Sequence, residues 1–315
     1  MTVSNGETRI LLNGCWDLAH AGHFNALRQV WEIAQTHPEG RVVAGIHSNA
    51  EIARVKGGTF VYNDAEKRVM LEACRFVDAI VCDVPYRPVD EALLSSVQCD
   101  YAVHGSDAVI LKDGTDMYGP VKKAGKYIEI PRSENIATTD LIDRILYDKT
   151  HSVGFSLSAR RVCQFAKNTE ISWQKNTYIF GHFDLFHPGH VEILRRAKLA
   201  CPESNLIVGV IPRPSVDVLT EGERLISLMS CRFVDDVVIR ASSDLNPEFV
   251  HAFNISSLIL VNNHPDFVSQ LFTTKDVAVI TLDGSDVTTH SHEIKQRIIS
   301  QSPVFVERNK RKQVV

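Results

Sequence analysis

Short apolar runs alternate with amphipathic stretches along most of this 315-residue chain. Arg9-Ile10-Leu11-Leu12 stops at Asn13-Gly14, the pattern of a buried strand. Phe24, Leu27, Val30, Trp31 and Ala34 then recur at helical spacing, and the breaker Pro38-Glu39-Gly40 precedes a second strand-like run from Arg41 to Ile46. Val69, Leu71, Ala73 and Phe76 predict a helix leading into the strand Ala79-Ile80-Val81. Glu91 to Val97 reads as helix, Tyr101-Ala102-Val103 and Tyr127-Ile128-Glu129-Ile130 as strands, and Leu141 to Tyr147 as a helix. This alternation predicts an α/β fold: a parallel sheet with helices on both faces, whose ligand crevice lies at the carboxyl ends of the strands.

The pattern occurs twice. Gly14-Cys15-Trp16-Asp17-Leu18-Ala19-His20-Ala21-Gly22-His23 returns as Gly181-His182-Phe183-Asp184-Leu185-Phe186-His187-Pro188-Gly189-His190. Ala73-Cys74-Arg75-Phe76-Val77-Asp78 is echoed by Ser230-Cys231-Arg232-Phe233-Val234-Asp235, and Thr138-Thr139 by Thr288-Thr289. The offset between the copies falls along the chain, so the second has lost loop residues while keeping the order of its elements. A repeat this long means two domains in tandem, not a solenoid. The expected boundaries are residues 1–150 for the first domain, 151–175 for a linker, 176–302 for the second domain and 303–315 for a basic tail. Leu157 to Phe165 is expected to form a short helix within the linker region.

Composition narrows the class. Lys+Arg 34 against Asp+Glu 38 gives a formal charge of −4, so no global basic field invites nucleic acid. No apolar run is long enough to cross a bilayer, and the start, MTVSNGETRI, lacks the features of a signal peptide. Seven cysteines, with no C-x-x-C among them, argue for a reduced compartment, and the expected location is cytoplasmic. The tail Arg308-Asn309-Lys310-Arg311-Lys312 reads as a solvated end that permits only weak contact with an acidic membrane surface. The oligomeric state is left open, a homodimer being compatible with it.

The chemistry concentrates in the turn between the first strand and the first helix. His20 and His23 fall on one face of the first helical turn, where backbone N–H groups and a partial positive charge suit phosphate. Gly22 between them leaves room for a phosphate oxygen. Two imidazoles that each donate a hydrogen bond stabilise the charge that builds on a pentacoordinate phosphorus. The chemistry suggested is nucleotidyl transfer: a phosphate oxygen attacks the α-phosphorus of a nucleoside triphosphate and pyrophosphate leaves in line. Zinc would need further ligands that the spacing does not offer. Gly114 to Gly119 is followed by Pro120 rather than the lysine of a phosphate loop, and no dinucleotide fingerprint is present.

The turn resembles the H-x-G-H signature of the cytidylyltransferases, and the tandem arrangement is similar to that of family members carrying two such domains in one chain. The resemblance implies two Rossmann-like nucleotidyltransferase domains and Mg²⁺ accompanying CTP. It implies CTP and phosphoethanolamine as substrates, with phosphocholine or glycerol phosphate as rival acceptors and a non-catalytic nucleotide-binding regulator as a further alternative. By the same resemblance Lys56-Gly57 supplies an ammonium to the triphosphate, and Glu66-Lys67 stands where the family has Glu-Arg. His104-Gly105-Ser106-Asp107 matches the family's His-Gly-x-Asp. Arg132-Ser133-Glu134-Asn135-Ile136-Ala137-Thr138-Thr139 matches R-T-x-G-I-S-T-T, with Asn135 for Gly and Ala137 for Ser. Arg132 is thus a second cationic clamp, while Thr138 and Thr139 cap the last helix. Leu12, Asn13, Gly14, His104, Ala137, Thr138 and Thr139 line the nucleotide site. Asn13 replaces an aspartate thought to face the substrate ammonium, which leaves Trp16, Tyr86 and Asp107 as acceptor-binding candidates.

The second copy keeps His187 and His190, but the run Val216 to Glu223 has no lysine to match Lys56. His104-Gly105 maps to Asn262-Asn263 and Arg132 to Leu282. This half is expected to be degenerate, with residual nucleotide contacts limited to Ile179, Phe180, His187, His190, Thr288 and Thr289.

Overall fold

The computed structural model describes residues 6–148, 157–166, 175–212, 217–241, 246–265, 267 and 277–313. The apolar run at the start becomes β1 (Arg9–Gly14), with its four central residues buried. It is followed by α1 (Ala21–Ala34), β2 (Arg41–Ile46), α2 (Asn49–Lys56), α3 (Asp64–Glu72), β3 (Ala79–Val81) and α4 (Glu91–Ser96). Then come β4 (Tyr101–Gly105), α5 (Gly119–Lys123), β5 (Tyr127–Ile130) and α6 (Thr138–Tyr147). The expected linker helix is α7 (Ala159–Cys163), continued by a 3-10 turn at Gln164–Ala166. The second copy runs through β6 (Asn176–Gly181), α8 (Pro188–Ala200), β7 (Asn205–Val210), α9 (Glu221–Met229), β8 (Asp236–Ile239) and α10 (Pro247–Ala252). It ends with β9 (Ile255–Asn262), β10 (Ala278–Asp283), α11 (Ser291–Ser300) and α12 (Ser302–Gln313).

The strands form two five-stranded sheets, ordered β3-β2-β1-β4-β5 and β10-β9-β6-β7-β8, with every pairing parallel. Read from the other edge, the second order repeats the first. The strand order reverses beside β1 in one sheet and beside β6 in the other, which opens the crevice at their carboxyl ends. Leu11, Val43 and Ala102 are fully buried in the first core, and Tyr178, Ile207 and Leu258 occupy the corresponding level in the second. Each leucine, isoleucine or valine among them contributes about 1.5–3 kcal/mol by leaving water.

Some elements depart from the hydrophobic pattern. The helix expected around Val69 begins earlier, because Asn63 and Glu66 form a reciprocal cap at its N-terminus. It also ends at Glu72, so Phe76 is buried from a turn rather than from the helix. α2 and α5 escaped the pattern because they are short and mostly polar.

The chain divides into two units, Met1–Glu134 with Pro303–Val315, and Asn135–Ser302. α6 groups with the second unit, where buried Arg144 pairs with buried Glu223 at 2.7 Å and donates to the Val218 carbonyl. The basic tail groups with the first. Its residues 302–313 are helical, Phe305 and Asn309 are buried, and the Arg308 side chain is only 14% exposed. The expectation of a solvated end therefore fails at Arg308 and Asn309, which face inward with Phe305 on one side of the helix, and holds at Lys310, which is exposed.

Candidate active site

The turn after β1 is built by two residues in the left-handed region, Trp16 (φ 53°) and Leu18 (φ 48°). Non-glycine residues there cost on the order of 1–3 kcal/mol and persist only where surrounding contacts hold them. Those contacts are present. Trp16 Nε1 donates to the Gly45 carbonyl at 2.7 Å, and buried Asp17 accepts from the Val61 and Tyr62 amides at 2.9 Å each.

This turn delivers His20 to the N-cap of α1. His20 Nδ1 accepts from the Gly22 amide at 3.2 Å, and His23 Nδ1 accepts from the His20 amide at 3.4 Å. The rings lie 3.9 Å apart, inclined by 30°. An accepting Nδ1 carries no proton, so each neutral ring bears its hydrogen on Nε2. The two histidines are thereby set as paired Nε2–H donors at a helix N-terminus. His20 is buried and His23 is half-buried.

Further residues gather along the carboxyl ends of β1, β4 and β5. Gly14 ends β1 and Leu12 lies buried within it. Asn13 is 5% exposed, its Oδ1 accepts from the Tyr118 hydroxyl at 2.8 Å, and its Nδ2 has no hydrogen-bond partner among the described residues. Burial pushes the Tyr118 hydroxyl far above its ordinary titration range, so it stays a donor. The Tyr118 ring lies 4.9 Å from that of His104. Arg132 Nη1 lies 3.2 Å from Asp107 Oδ2, with both side chains about half exposed. The loop bearing Arg132 is tied to α1, since Asn25 Nδ2 donates to Ser133 Oγ at 2.9 Å and Gln29 to the Pro131 carbonyl at 3.2 Å. Neither Asn25, Gln29 nor Tyr118 carried a sequence signal, because their partners lie far along the chain.

Trp16 and Tyr86 are both buried, Trp16 lying 5.4 Å from the His23 ring and Tyr86 packing edge-on against His47 at 5.1 Å. Lys56 is the last residue of α2, and its side chain lies outside the described residues. Lys67 does fill the Glu-Arg position. Its fully buried ammonium donates to the His47 carbonyl, to Asp64 and to Asn49.

Two readings of the Arg132 segment meet different outcomes. Asn135 adopts φ 59°, the left-handed turn that its glycine counterpart would supply. Thr138 and Thr139 are the first two residues of α6 rather than its N-cap, which is Ala137 and makes no side-chain cap. The hydroxyl missing from Ala137 is the one an N-cap needs. α6 groups with the second unit, and Ala137, Thr138 and Thr139 go with it.

In the second unit the same turn recurs, with Phe183 at φ 52° and Leu185 at φ 49°. Asp184 accepts from the Val218 and Leu219 amides, as Asp17 does from Val61 and Tyr62. His187 is the N-cap of α8, and its ring lies 3.7 Å from that of His190. Here, however, both imidazoles are fully buried. Phe183, Phe186 and Phe267 surround His190. Ser291 Oγ donates to the Asp184 carbonyl and so accepts from His187 Nε2 at 3.3 Å. A Cβ on Gly189 would sit 2.1 Å from the Thr289 carbonyl oxygen, so the chain itself fills the space a phosphate would need. Ile179 and Phe180 are buried within β6, Thr289 is buried, and Thr288 is exposed. Asn263 donates to Asp283. Strand pairing corrects two correspondences: the levels Leu11–Ala102–Tyr127 and Tyr178–Leu258–Val279 bring His104–Gly105 opposite Leu260–Val261 rather than Asn262–Asn263, and Arg132 opposite Gly284, not Leu282. None of these counterparts is a cation. The chain from Val210 to the N-cap Thr220 is also shorter than that from Ile46 to Asn63, the stretch that holds α2.

Among the described residues no group of three His, Cys, Asp or Glu side chains is arranged to hold a metal ion, and no helix is long and apolar enough to cross a membrane. The seven cysteines are free thiols.

Two parallel sheets, each with a histidine-capped helix at its switch point, define a nucleotidyltransferase class, and sequence comparison agrees. The cytidylyltransferase-like family matches residues 11–144 and 178–306, and the chain belongs to that family. It is similar to the ethanolamine-phosphate cytidylyltransferase of Dictyostelium discoideum, 32% identical over 82% of this chain and 80% of that protein. The enzyme of the same name from Arabidopsis thaliana is 31% identical over 97% of this chain and 83% of that one. A probable choline-phosphate cytidylyltransferase of Schizosaccharomyces pombe is 33% identical but spans 59% of this chain and 48% of its own length. The family and the tandem arrangement expected from the motifs are thus borne out.

Proposed function

We propose that this protein transfers the cytidylyl group of CTP to phosphoethanolamine, releasing pyrophosphate and forming CDP-ethanolamine for phospholipid synthesis. The observation that carries the chemistry is that Nδ1 of both His20 and His23 accepts from a backbone amide, which assigns the ring protons to the two Nε2 atoms. A phosphoethanolamine oxygen attacks the α-phosphorus, a new P–O bond forms, and the bond from the α-phosphorus to the bridging oxygen breaks as pyrophosphate departs. The imidazoles stabilise the charge on the α-phosphoryl oxygens, an effect worth roughly 10²–10³ in rate per donor in comparable oxyanion sites. Lys56 and Arg132 neutralise the leaving pyrophosphate, a charge that Mg²⁺ bound to the triphosphate would help to offset. Leu12, Asn13, Gly14 and His104 line the nucleotide side, and Trp16, Tyr86 and Asp107 the acceptor side. Similarity over 97% of this chain to an ethanolamine-phosphate enzyme, against 59% for a choline-phosphate one, supports the acceptor.

The first unit is the catalytic domain in this reading, and the second is a degenerate copy that supports it. Pyrophosphate release with CTP or ATP, each against phosphoethanolamine or phosphocholine, tests the assignment. Turnover is expected with CTP and phosphoethanolamine. A higher kcat/KM with any other pair overturns it. Asn13 favours one second reading, another phosphorylated alcohol, because an amide gives an ammonium less attraction than a carboxylate would.

A further inference from the structure

α2 ends at Lys56, and the chain then turns through Gly57 (φ +66°) and Gly58 (φ +124°). Two consecutive glycines in these conformations make a loop with much freedom to lose when a ligand binds. Both ends of the loop are fastened. At one end Gly57 donates to the Ala53 carbonyl, and at the other Val61 and Tyr62 donate to Asp17, the buried carboxylate of the His20 turn.

Arg308, from α12 at the far end of the chain, joins these fastenings. Its Nη1 donates to the Thr59 carbonyl at 2.8 Å and lies 3.2 Å from Asp17 Oδ2. The guanidinium sits 5.6 Å from the ring of fully buried Phe305. One cation therefore grips the middle of the loop and the carboxylate that anchors its exit. In the second unit Lys295 of α11 lies 3.1 Å from Asp184 Oδ2, so a cation on the aspartate recurs, but its source is a different helix.

We propose that Arg308 is a positioning residue for the triphosphate-binding loop from Lys56 to Tyr62, acting through Thr59 and Asp17. The proposal rests on the function given above. Arg308 fixes the loop before CTP arrives, so the ordering cost is met during folding rather than during binding. His20 and His23 do not depend on it for their own hydrogen bonds. Loss of Arg308 therefore weakens CTP binding and leaves the chemical step nearly intact.

The test uses the full chain with Arg308→Ala and Arg308→Lys, measuring kcat and both KM values, CTP affinity by calorimetry, and Tm. Arg308→Ala is expected to raise the CTP KM and Kd about tenfold, with kcat and the acceptor KM within about twofold. Arg308→Lys is expected to recover part of the loss, to about threefold, because lysine keeps the charge but ends one atom short of the Nη1 that makes both contacts. A CTP KM and Kd within twofold of wild type in both variants overturn the proposal. So does a fall in kcat that tracks Tm at unchanged KM. If the alanine variant does not fold, the lysine variant decides: about threefold weaker CTP binding supports the proposal and unchanged binding overturns it. If wild type makes no product, the proposed function fails, while the calorimetric ratio still reads Arg308. If wild type also fails to bind CTP, both fall.

Discussion

The two units contain the same turn with opposite consequences. Each has two left-handed residues, a buried aspartate gathering two backbone amides, and a histidine at a helix N-cap. In the first unit His23 is half-buried and Gly22 is partly open. In the second, both imidazoles are buried, His187 Nε2 is engaged by Ser291, and Gly189 lies against the Thr289 carbonyl. The motif is therefore a device for starting a helix after a strained turn before it is a device for chemistry. It persists in the second copy because folding needs it there, whereas reactivity also demands open space and converging cations.

The largest expected effect contrasts the same substitution in the two turns. His20→Ala should lower kcat by at least about 10²–10³-fold in a pyrophosphate-release assay. His187→Ala should change kcat by less than about threefold and instead cost about 1–2 kcal/mol of stability through the lost cap. Large loss of kcat from His187→Ala at unchanged Tm would break the comparison. Next comes Arg132→Ala, expected to reduce kcat/KM for CTP about tenfold to a hundredfold, while Gly284→Ala in the second unit leaves kinetics unchanged.

Gly189→Ala sharpens the contrast in stability. A methyl group 2.1 Å from a backbone oxygen must displace the chain, so a loss of about 1–3 kcal/mol is expected in denaturant unfolding, with kcat preserved. The smallest effect concerns α2, which has no counterpart among the described residues of the second unit. Arg54 and the Tyr86 amide donate to Glu51 and lower its pKa from 4.5 to about 2. The resulting stabilisation is complete above pH 4.5 and is lost as the pH falls toward 2. Because Arg54 is 67% exposed, water screens the pair, and Glu51→Gln should flatten acid unfolding by less than about 1 kcal/mol.

The alternation of strands and helices was legible because fully buried strands and amphipathic helices write different periods into the sequence. His20 and His23 were legible because their whole context recurs. Asn135 was legible from backbone preference alone, and its φ of 59° agrees. The structural work of Asp17 was not legible, since its partners Val61, Tyr62 and Arg308 are remote in sequence and two of them act through backbone amides. The cap of α6 was not legible, because two threonines offer good capping side chains one and two residues beyond Ala137, which holds the N-cap position. The burial of His187 and His190 could not be read either, because it depends on the path of the chain at Thr289 and Phe267.

The discontinuous make-up of the first unit has a consequence for biosynthesis. A ribosome releases β1 to β5 early, yet the segment carrying Phe305 and Arg308 emerges only after the whole second repeat. The domain made first is thus the one finished last, and until then Asp17 waits without its arginine. Removing residues 1–134 as one contiguous block would leave Arg308 behind without Asp17.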